Sequence, residues 1–269
     1  MALRGKVFVL LMLLLGSSFA VTVVSPVKLE VGEGDILDLG TIGPGQTIQV
    51  QIEPKVDTGG IHGKGGYYDM AQATVLPEGW MSEPSKLYGR PLQVKITADQ
   101  DAPEGDYSAK VTVIDEMDGE ELGNITFTAW IHITWDVLDV EVTPAYSTVG
   151  PGQPSRFEIT VWNKGSASDA FNISATGARS WEFTKAVFVP AKSSKTIFYD
   201  LVGYEEETYK SKISVVSLAS DNIHEEQDVT LFIKADLLGD FKATNRGTAI
   251  FPIFEAVIYS LAGLLSNFY

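Results

Sequence analysis

Residues 107–113 read YSAKVTV, and residues 209–215 read YKSKISV. Every second residue of the first segment, starting with Tyr107, is apolar or aromatic, and polar residues lie between them. A β-strand turns successive side chains to opposite faces of its sheet, so this alternation predicts a strand that buries one face. Because the second segment follows the first residue by residue, the chain is expected to contain the same strand twice.

Other matched segments extend this repeat. Residues 43–46 (GPGQ) recur as residues 150–153, each time ahead of an alternating segment, and Trp80 has a counterpart in Trp181. These matches keep their order and nearly their spacing. They therefore predict two copies of one β-sandwich of roughly 100 residues.

Alternation of period two also occurs at residues 48–52, 92–96 and 125–133. Turn-forming glycines and prolines separate these segments, and no useful helical period appears before the last part of the chain. The predicted fold class is all-β, with one sandwich at residues 21–135 and the second at residues 136–236.

The first 20 residues have the pattern of a secretory signal. Arg4 and Lys6 precede an apolar run, and small residues lead to Ala20. This arrangement predicts a signal peptide over residues 1–20. The alternative is an uncleaved N-terminal anchor, and both interpretations export the bulk of the chain.

The last residues predict a membrane anchor. Residues 249–269 form a hydrophobic stretch behind a juxtamembrane linker at residues 237–248. A helix of about 20 residues, at roughly 1.5 Å each, just crosses a bilayer core of about 30 Å. We therefore expect a single-pass cell-membrane protein that contacts membrane lipid through this helix and keeps its bulk extracellular. Alternatively, the segment lies in the membrane surface or docks on the rest of the chain.

A polar stripe is predicted on the tail helix. Glu255, Tyr259, Gly263 and Asn267 follow one another at four-residue steps, which places them on one helix face. A carboxyl group in hydrocarbon usually faces protein or water, so the stripe suggests contact with another membrane or envelope protein. The alternative is that Glu255 reaches the lipid headgroups or is protonated.

Several motifs in the two copies resemble one known family. They are residues 76–80 (LPEGW), residues 101–107 (DAPEGDY) with the strand that follows, and residues 161–171 (VWNKGSASDAF). These segments are similar to the NEW3 family of alpha-galactosidase-associated, immunoglobulin-like modules. The resemblance covers most of residues 25–235. It implies immunoglobulin-like sandwiches of the kind found beside glycosidases and in prokaryotic, especially archaeal, surface proteins.

Composition excludes several kinds of chemistry. The chain has 20 Lys and Arg against 35 Asp and Glu, a formal net charge of −15, which argues against a nucleic-acid partner. It has no cysteine, so disulfides and thiolate sites are excluded. Its only histidines, His62, His132 and His224, belong to no local catalytic motif. We therefore predict no enzymatic activity, no cofactor and no metal.

Acidic clusters leave a calcium interpretation open. Asp99, Asp101, Glu104 and Asp106 lie close together in the sequence. Calcium requires six to eight converging oxygen ligands, and the cluster matches no known calcium loop. We expect a solvated acidic surface.

The first copy carries an extra glycine-dense loop within residues 56–69. Binding residues favour loops held by a rigid scaffold, and aromatic side chains can stack on a sugar or a partner surface. The candidate ligand or partner residues are His62, Lys64, Tyr67, Tyr68 and Trp80. The alternative is a surface loop without a ligand, with Tyr67 or Tyr68 packed into the sandwich.

Asn124 and Asn172 begin N-x-Ser/Thr triplets, and each is expected at the start of a strand, where it could carry a glycan in an exported chain.

Together these features predict a non-enzymatic, membrane-anchored cell-surface protein with tandem immunoglobulin-like domains. It would act as a structural, adhesive or accessory binding subunit. The alternative is a carbohydrate-binding module protein of the cell envelope.

Overall fold

The computed structural model describes residues 20–116, 121–177 and 182–235. Trp181, the predicted tail helix with its polar stripe, and all of the predicted signal peptide except Ala20 lie outside these residues. Within the described ranges all regular structure is β, and no helix there is long and apolar enough to cross a membrane. The described residues form two units that divide between Trp135 and Asp136, with Gly165–Ala167 assigned to the first.

The described part of the first unit contains eleven strands. They are β1 (Ala20–Ser25), β2 (Leu29–Gly32), β3 (Ile36–Ile42), β4 (Thr47–Glu53), β5 (Lys55–Val56), β6 (Gly66–Tyr67), β7 (Met70–Val75), β8 (Met81–Glu83), β9 (Leu92–Thr97), β10 (Gly105–Ile114) and β11 (Ile125–Ile133). One sheet has the order β2-β1-β4-β9-β8, the other β3-β11-β10-β7, and β5 pairs with β6 alone. All pairs are antiparallel except β3 with β11.

The first core lies between the two larger sheets, as the alternation predicts. Val50 pairs with Val94 in one sheet, and Val111 pairs with Phe127 in the other. All four side chains are fully buried, whereas the residues between them are polar and more exposed. Burial of one face therefore drives the pairing of the sheets.

The second unit repeats this arrangement with eight described strands. They are β12 (Leu138–Thr143), β13 (Tyr146–Val149), β14 (Pro154–Asn163), β15 (Asp169–Thr176), β16 (Phe183–Val189), β17 (Ser193–Val202), β18 (Thr208–Ser217) and β19 (His224–Ile233). The sheets have the orders β12-β14-β17 and β13-β19-β18-β15-β16, and β13 runs parallel to β19. Phe157 and Phe171 are buried in a core separate from the first.

The repeated GPGQ segments form equivalent turns. Gly45 has a φ of 68° and Gly152 one of 73°, the left-handed region that suits glycine behind a proline in a type II turn. In each turn the buried glutamine side chain accepts a hydrogen bond from the first glycine, at 2.8 Å for Gln46 with Gly43 and 3.2 Å for Gln153 with Gly150. The glutamine thus satisfies a backbone donor that would otherwise be buried without a partner.

The repeated tyrosines form a second shared feature. Tyr107 lies at the start of β10, and its hydroxyl donates to the carbonyl of Pro103 at 3.0 Å. Tyr209 lies at the start of β18; its hydroxyl is hydrogen-bonded to the Glu207 side chain, and its oxygen accepts a hydrogen bond from the backbone of Glu205, also four residues back. A tyrosine in this position, bonded to the backbone just upstream, is the tyrosine corner of immunoglobulin-like sandwiches.

Candidate functional site

The glycine-dense insertion is a short hairpin on β5 and β6. Lys55 pairs with Tyr67 at its base. Backbone hydrogen bonds from Gly63 to Gly60 at 3.0 Å and from Gly65 to Gly59 at 2.9 Å close the loop. Glycine is required at position 65, because an added Cβ would lie 1.9 Å from the carbonyl oxygen of Val56. The hairpin presents His62 and Lys64 exposed at its tip.

Tyr67 and Tyr68 have opposite environments. Tyr67 is 39% exposed, whereas Tyr68 is 2% exposed and belongs to the first core. Burial raises the pKa of Tyr68 to about 12, and its hydroxyl has no hydrogen-bond partner among the described residues. Trp80 is also in the core, 7% exposed, with its ring 5.2 Å from that of Tyr107. The assignment of Tyr68 and Trp80 to a ligand surface is therefore corrected: both are packing residues.

Residues 84–91, between β8 and β9, lie beside this hairpin. The backbone N–H of Ser85 donates to the carbonyl of Ala71 at 2.8 Å, and the Ser85 hydroxyl accepts from Ala71 at 2.9 Å. The N–H of Tyr88 donates to the carbonyl of Asp69 at 2.7 Å. These bonds attach the segment to β7 and to the residue that precedes it.

Tyr88 adopts a left-handed backbone conformation with a φ of 56°. This region costs a residue with a side chain roughly 1–2 kcal/mol. The hydrogen bonds to Asp69 and from Gly89 to the carbonyl of Lys86, at 3.1 Å, hold the turn in place. The surrounding structure thus fixes an exposed tyrosine in an unfavourable conformation.

Arg90 connects the hairpin with this segment. Its guanidinium carbon lies 4.4 Å from the centre of the Tyr67 ring. Such a cation–π contact is worth about 0.5–1 kcal/mol at an exposed site. Tyr67, Tyr88 and Arg90 also line one small cavity.

A larger cleft shares Gly89 and Arg90 with this small cavity. We call it the Arg90 cleft and define it by its polar lining residues; it has a volume of about 540 Å³. Those residues are Gln51, Glu83, Lys86, Arg90, Gln93 and Lys95. Gln51, Gln93 and Lys95 come from strands β4 and β9, and the others from β8 and the segment after it.

The Arg90 cleft is locally cationic. Lys95 forms an ion pair with Glu83 at 2.7 Å. Lys86 and Arg90 form no ion pair with any described residue, so the cleft carries about two uncompensated positive charges in a chain of net charge −15. A surface of this kind favours an anionic or strongly polar ligand.

Sequence reasoning located Tyr67 but missed Arg90 and the cleft. Apart from Gln51, the residues of the cleft lie within residues 83–95, but they form no known motif. One signal was available: residues 84–91 separate β8 from β9, whereas only residues 190–192 separate β16 from β17. A comparison of the two copies at this connection would have shown that the first copy carries extra residues there.

The acidic residues considered for calcium serve separate local roles. Asp99 accepts a hydrogen bond from the backbone of Asp101 at 2.8 Å, and Glu104 accepts one from the backbone of Trp135 at 3.0 Å. Asp106 pairs with His132 at 2.8 Å. Across the described residues, no three His, Asp or Glu side chains are grouped so as to hold a metal ion.

The two glycosylation candidates differ in position. Asn124 is exposed and directly precedes β11, as expected. Asn172 is instead the fourth residue of β15, half-buried and paired with both Ala186 and Val216. A glycan on Asn172 would therefore leave from the middle of a sheet.

The strand connectivity and the two tyrosine corners define the class: each unit is an immunoglobulin-like β-sandwich. No protein-family model and no curated protein matches the sequence. Among solved structures, fibronectin(III)-like modules of Clostridium thermocellum CbhA align with 13% identity over 80% of this chain and 94% of theirs, with a TM-score of 0.26. A CARDB domain of Pyrococcus furiosus, in complex with di-metal ions, aligns with 19% identity over 36% of this chain and 91% of its own, with a TM-score of 0.26. A chimeric titin Z1Z2 aligns with 10% identity over 82% of this chain and 100% of its own, with a TM-score of 0.35.

Proposed function

We propose that this is a non-enzymatic, membrane-anchored cell-surface protein whose two immunoglobulin-like units form a structural, adhesive or accessory binding subunit. The observation that carries the proposal is the contact of Arg90 with Tyr67. It is an exposed aromatic and cationic surface, held by hydrogen-bonded loops on a rigid sandwich. Such surfaces are suited to binding.

The membrane part of the proposal rests on the sequence of the two ends. The signal-like residues 1–20 export the chain, and the hydrophobic residues 249–269 hold it at the membrane. The LPEGW and DAPEGDY segments support a NEW3-type module of a prokaryotic, archaeal surface protein. Membrane lipid is then one partner, and a second membrane or envelope protein contacts the stripe that contains Glu255.

Membrane fractionation with protease treatment of intact cells tests the location. The full chain is expected in the membrane pellet after a carbonate wash, and external protease is expected to remove both sandwiches. A full-length chain in the culture medium would contradict the anchor. A chain protected from protease until the cells are lysed would contradict surface display.

The helix-partner part has a separate test. A partner that copurifies with the wild-type chain after mild detergent extraction should be lost from Glu255→Leu. Asn267→Leu, which changes the far end of the same stripe, is the matched variant and should weaken the association less. If the wild-type chain purifies without a partner and neither substitution changes its behaviour, the proposed helix partner is contradicted.

The second candidate function is a carbohydrate-binding module of the cell envelope. The exposed ring of Tyr67 favours it, since aromatic rings stack on sugars. On a glycan array the full chain should lose its binding with Tyr67→Ala and keep it with Tyr146→Ala, an exposed tyrosine of the second unit. Binding unchanged by Tyr67→Ala would remove this function.

A further inference from the structure

The Arg90 cleft has the size of a ligand site. Its volume of about 540 Å³ lies within the range of roughly 300–1,000 Å³ found for small-molecule pockets. One wall is the regular surface of β4 and β9, and the other is the hydrogen-bonded segment 84–91. Both walls are fixed, so the cleft is preformed.

The cleft is lined for a ligand rich in polar groups. Gln51 and Gln93 offer amide donors and acceptors, and Glu83 offers a carboxylate. Of the described residues that line it, only Pro84 and Pro91 contribute apolar side chains. Protein partners usually anchor through large buried apolar or aromatic side chains, and the cleft has no pocket of apolar side chains to receive one.

The charge of the cleft selects an anion. The guanidinium carbon of Arg90 lies over the Tyr67 ring, and Arg90 forms no ion pair with a described residue, so its positive charge can attract an anionic ligand. A planar fork of donors matches a carboxylate, to which it can bind in a bidentate manner. Lys86 adds a second cation at the same wall.

Aromatic rings lie in the neighbouring small cavity. Tyr67 and Tyr88 line the small cavity that shares Gly89 and Arg90 with the Arg90 cleft. Both rings are exposed, and the apolar faces of sugar rings pack on such platforms. Hydroxyl-binding amides, carboxylate-binding cations and aromatic rings therefore meet around one residue, Arg90.

We propose that the Arg90 cleft binds an acidic oligosaccharide, a chain of uronic-acid sugars. Its carboxylates contact Arg90 and Lys86, its hydroxyls contact Gln51 and Gln93, and a sugar ring packs on Tyr67. This inference deepens the proposed function, since it names the ligand class of a surface-displayed binding unit.

The test is calorimetric titration of the full chain with oligogalacturonate, oligomannuronate and oligoglucuronate. At least one should bind, with an affinity that falls as salt is added, and a neutral galacto-oligosaccharide of equal length should bind at least tenfold more weakly. Arg90→Ala should reduce the affinity tenfold or more, and Lys86→Gln several-fold. Lys110→Gln, an exposed lysine of the same unit outside the cleft, is the matched control and should change nothing.

Four results would overturn the proposal: no binding of any uronate, equal binding of the neutral sugar, equal or tighter binding of a poly-glutamate peptide, or full affinity in both Arg90→Ala and Lys86→Gln. Lys86 is exposed and forms no ion pair with a described residue, so its variant should fold even if Arg90→Ala does not. Failure here leaves the protease result on intact cells unchanged. Conversely, a chain that binds uronates but is not anchored would refute only the membrane part of the proposed function.

Discussion

The two units place the same part of their repeat in different sheets. In the first unit the short strand β8 pairs with β9, from Met81 with Thr97 to Glu83 with Lys95. In the second, β16 pairs with β15 over seven residues and joins the opposite sheet. The edge of β7 that corresponds to the partner of β16 is instead bonded to Ser85.

This difference explains why the Arg90 cleft belongs to one unit. A regular edge strand alternates its side chains between core and solvent, and β16 buries Val187 and Val189 in this way. The irregular segment 84–91 is free of that alternation and can bring Lys86 and Arg90 to one wall. At this position the second unit therefore has a strand that packs on the core, whereas the first unit has a segment that forms one wall of the Arg90 cleft.

The largest expected effect comes from removing a core ring in either unit. Phe127→Ala and Phe171→Ala each delete a fully buried side chain, and each should lower the free energy of unfolding of its own unit by about 3–5 kcal/mol. Denaturant unfolding, monitored by proteolysis, should show that each substitution destabilises one unit only, because the two rings belong to separate cores. Equal losses in both units from one substitution would contradict independent cores.

A smaller effect tests whether the tyrosine corners are equivalent. Tyr107→Phe and Tyr209→Phe keep each ring and remove the hydroxyl that reaches the backbone four residues upstream. Each should cost about 0.5–1.5 kcal/mol, the usual net value of one hydrogen bond. Tyr204→Phe, at an exposed tyrosine, is the control for loss of a hydroxyl. A loss in one unit alone would show that the repeat preserves the residue but not its role.

The connections before β9 and β17 offer a matched test of backbone strain. Tyr88 has a φ of 56° and Lys192 one of 51°. Glycine removes the steric cost of this conformation but adds entropy to the unfolded chain. Tyr88→Gly and Lys192→Gly should each stabilise their unit by about 0.5–1 kcal/mol, measured by denaturant unfolding. If Tyr88→Gly instead destabilises the first unit, the ring of Tyr88 contributes packing and not only surface.

The fold was largely predictable because its signals are local. Alternation at residues 48–52 and 92–96 identifies the buried faces of β4 and β9, and the GPGQ turn follows from the needs of proline and glycine. The partner of β8 or β16 was not predictable, because the choice between two sheets depends on tertiary packing. The cleft was missed for a related reason: Gln51 is brought to Gln93 and Arg90 only by the pairing of β4 with β9.

Tyr67 and Tyr68 show the limit of prediction from sequence within a single loop. Both are tyrosines in one glycine-rich insertion, and composition favours neither as the exposed one. Which of them faces the core is set by the two-residue strand β6 and by the backbone bond from Tyr68 to Pro54, at 2.9 Å. A strand this short shows no alternation of apolar and polar residues, so the sequence does not predict which tyrosine is buried.

The smallest expected effect at neutral pH is that of Tyr68→Phe, which we compare with Tyr199→Phe at the buried tyrosine of the second unit. The hydroxyl of Tyr68 has no described partner, whereas that of Tyr199 is hydrogen-bonded to Ser211. Tyr199→Phe should therefore cost about 0.5–1.5 kcal/mol, the net value of one hydrogen bond. Tyr68→Phe should leave the stability of the first unit unchanged or raise it, since it removes a buried polar atom that has no bond to lose.

At alkaline pH the contribution of Tyr68 to stability should fall. Burial raises the pKa of Tyr68 to about 12, whereas an unfolded tyrosine titrates near about 10. Between these values the unfolded chain loses a proton that the folded chain keeps, so the contribution of Tyr68 is complete below about pH 10 and is lost as the pH rises through about 12. Tyr68→Phe should reduce this alkaline loss in denaturant unfolding measured across that window. An identical alkaline loss in wild type and Tyr68→Phe would show that the Tyr68 hydroxyl reaches water or a partner in the folded protein.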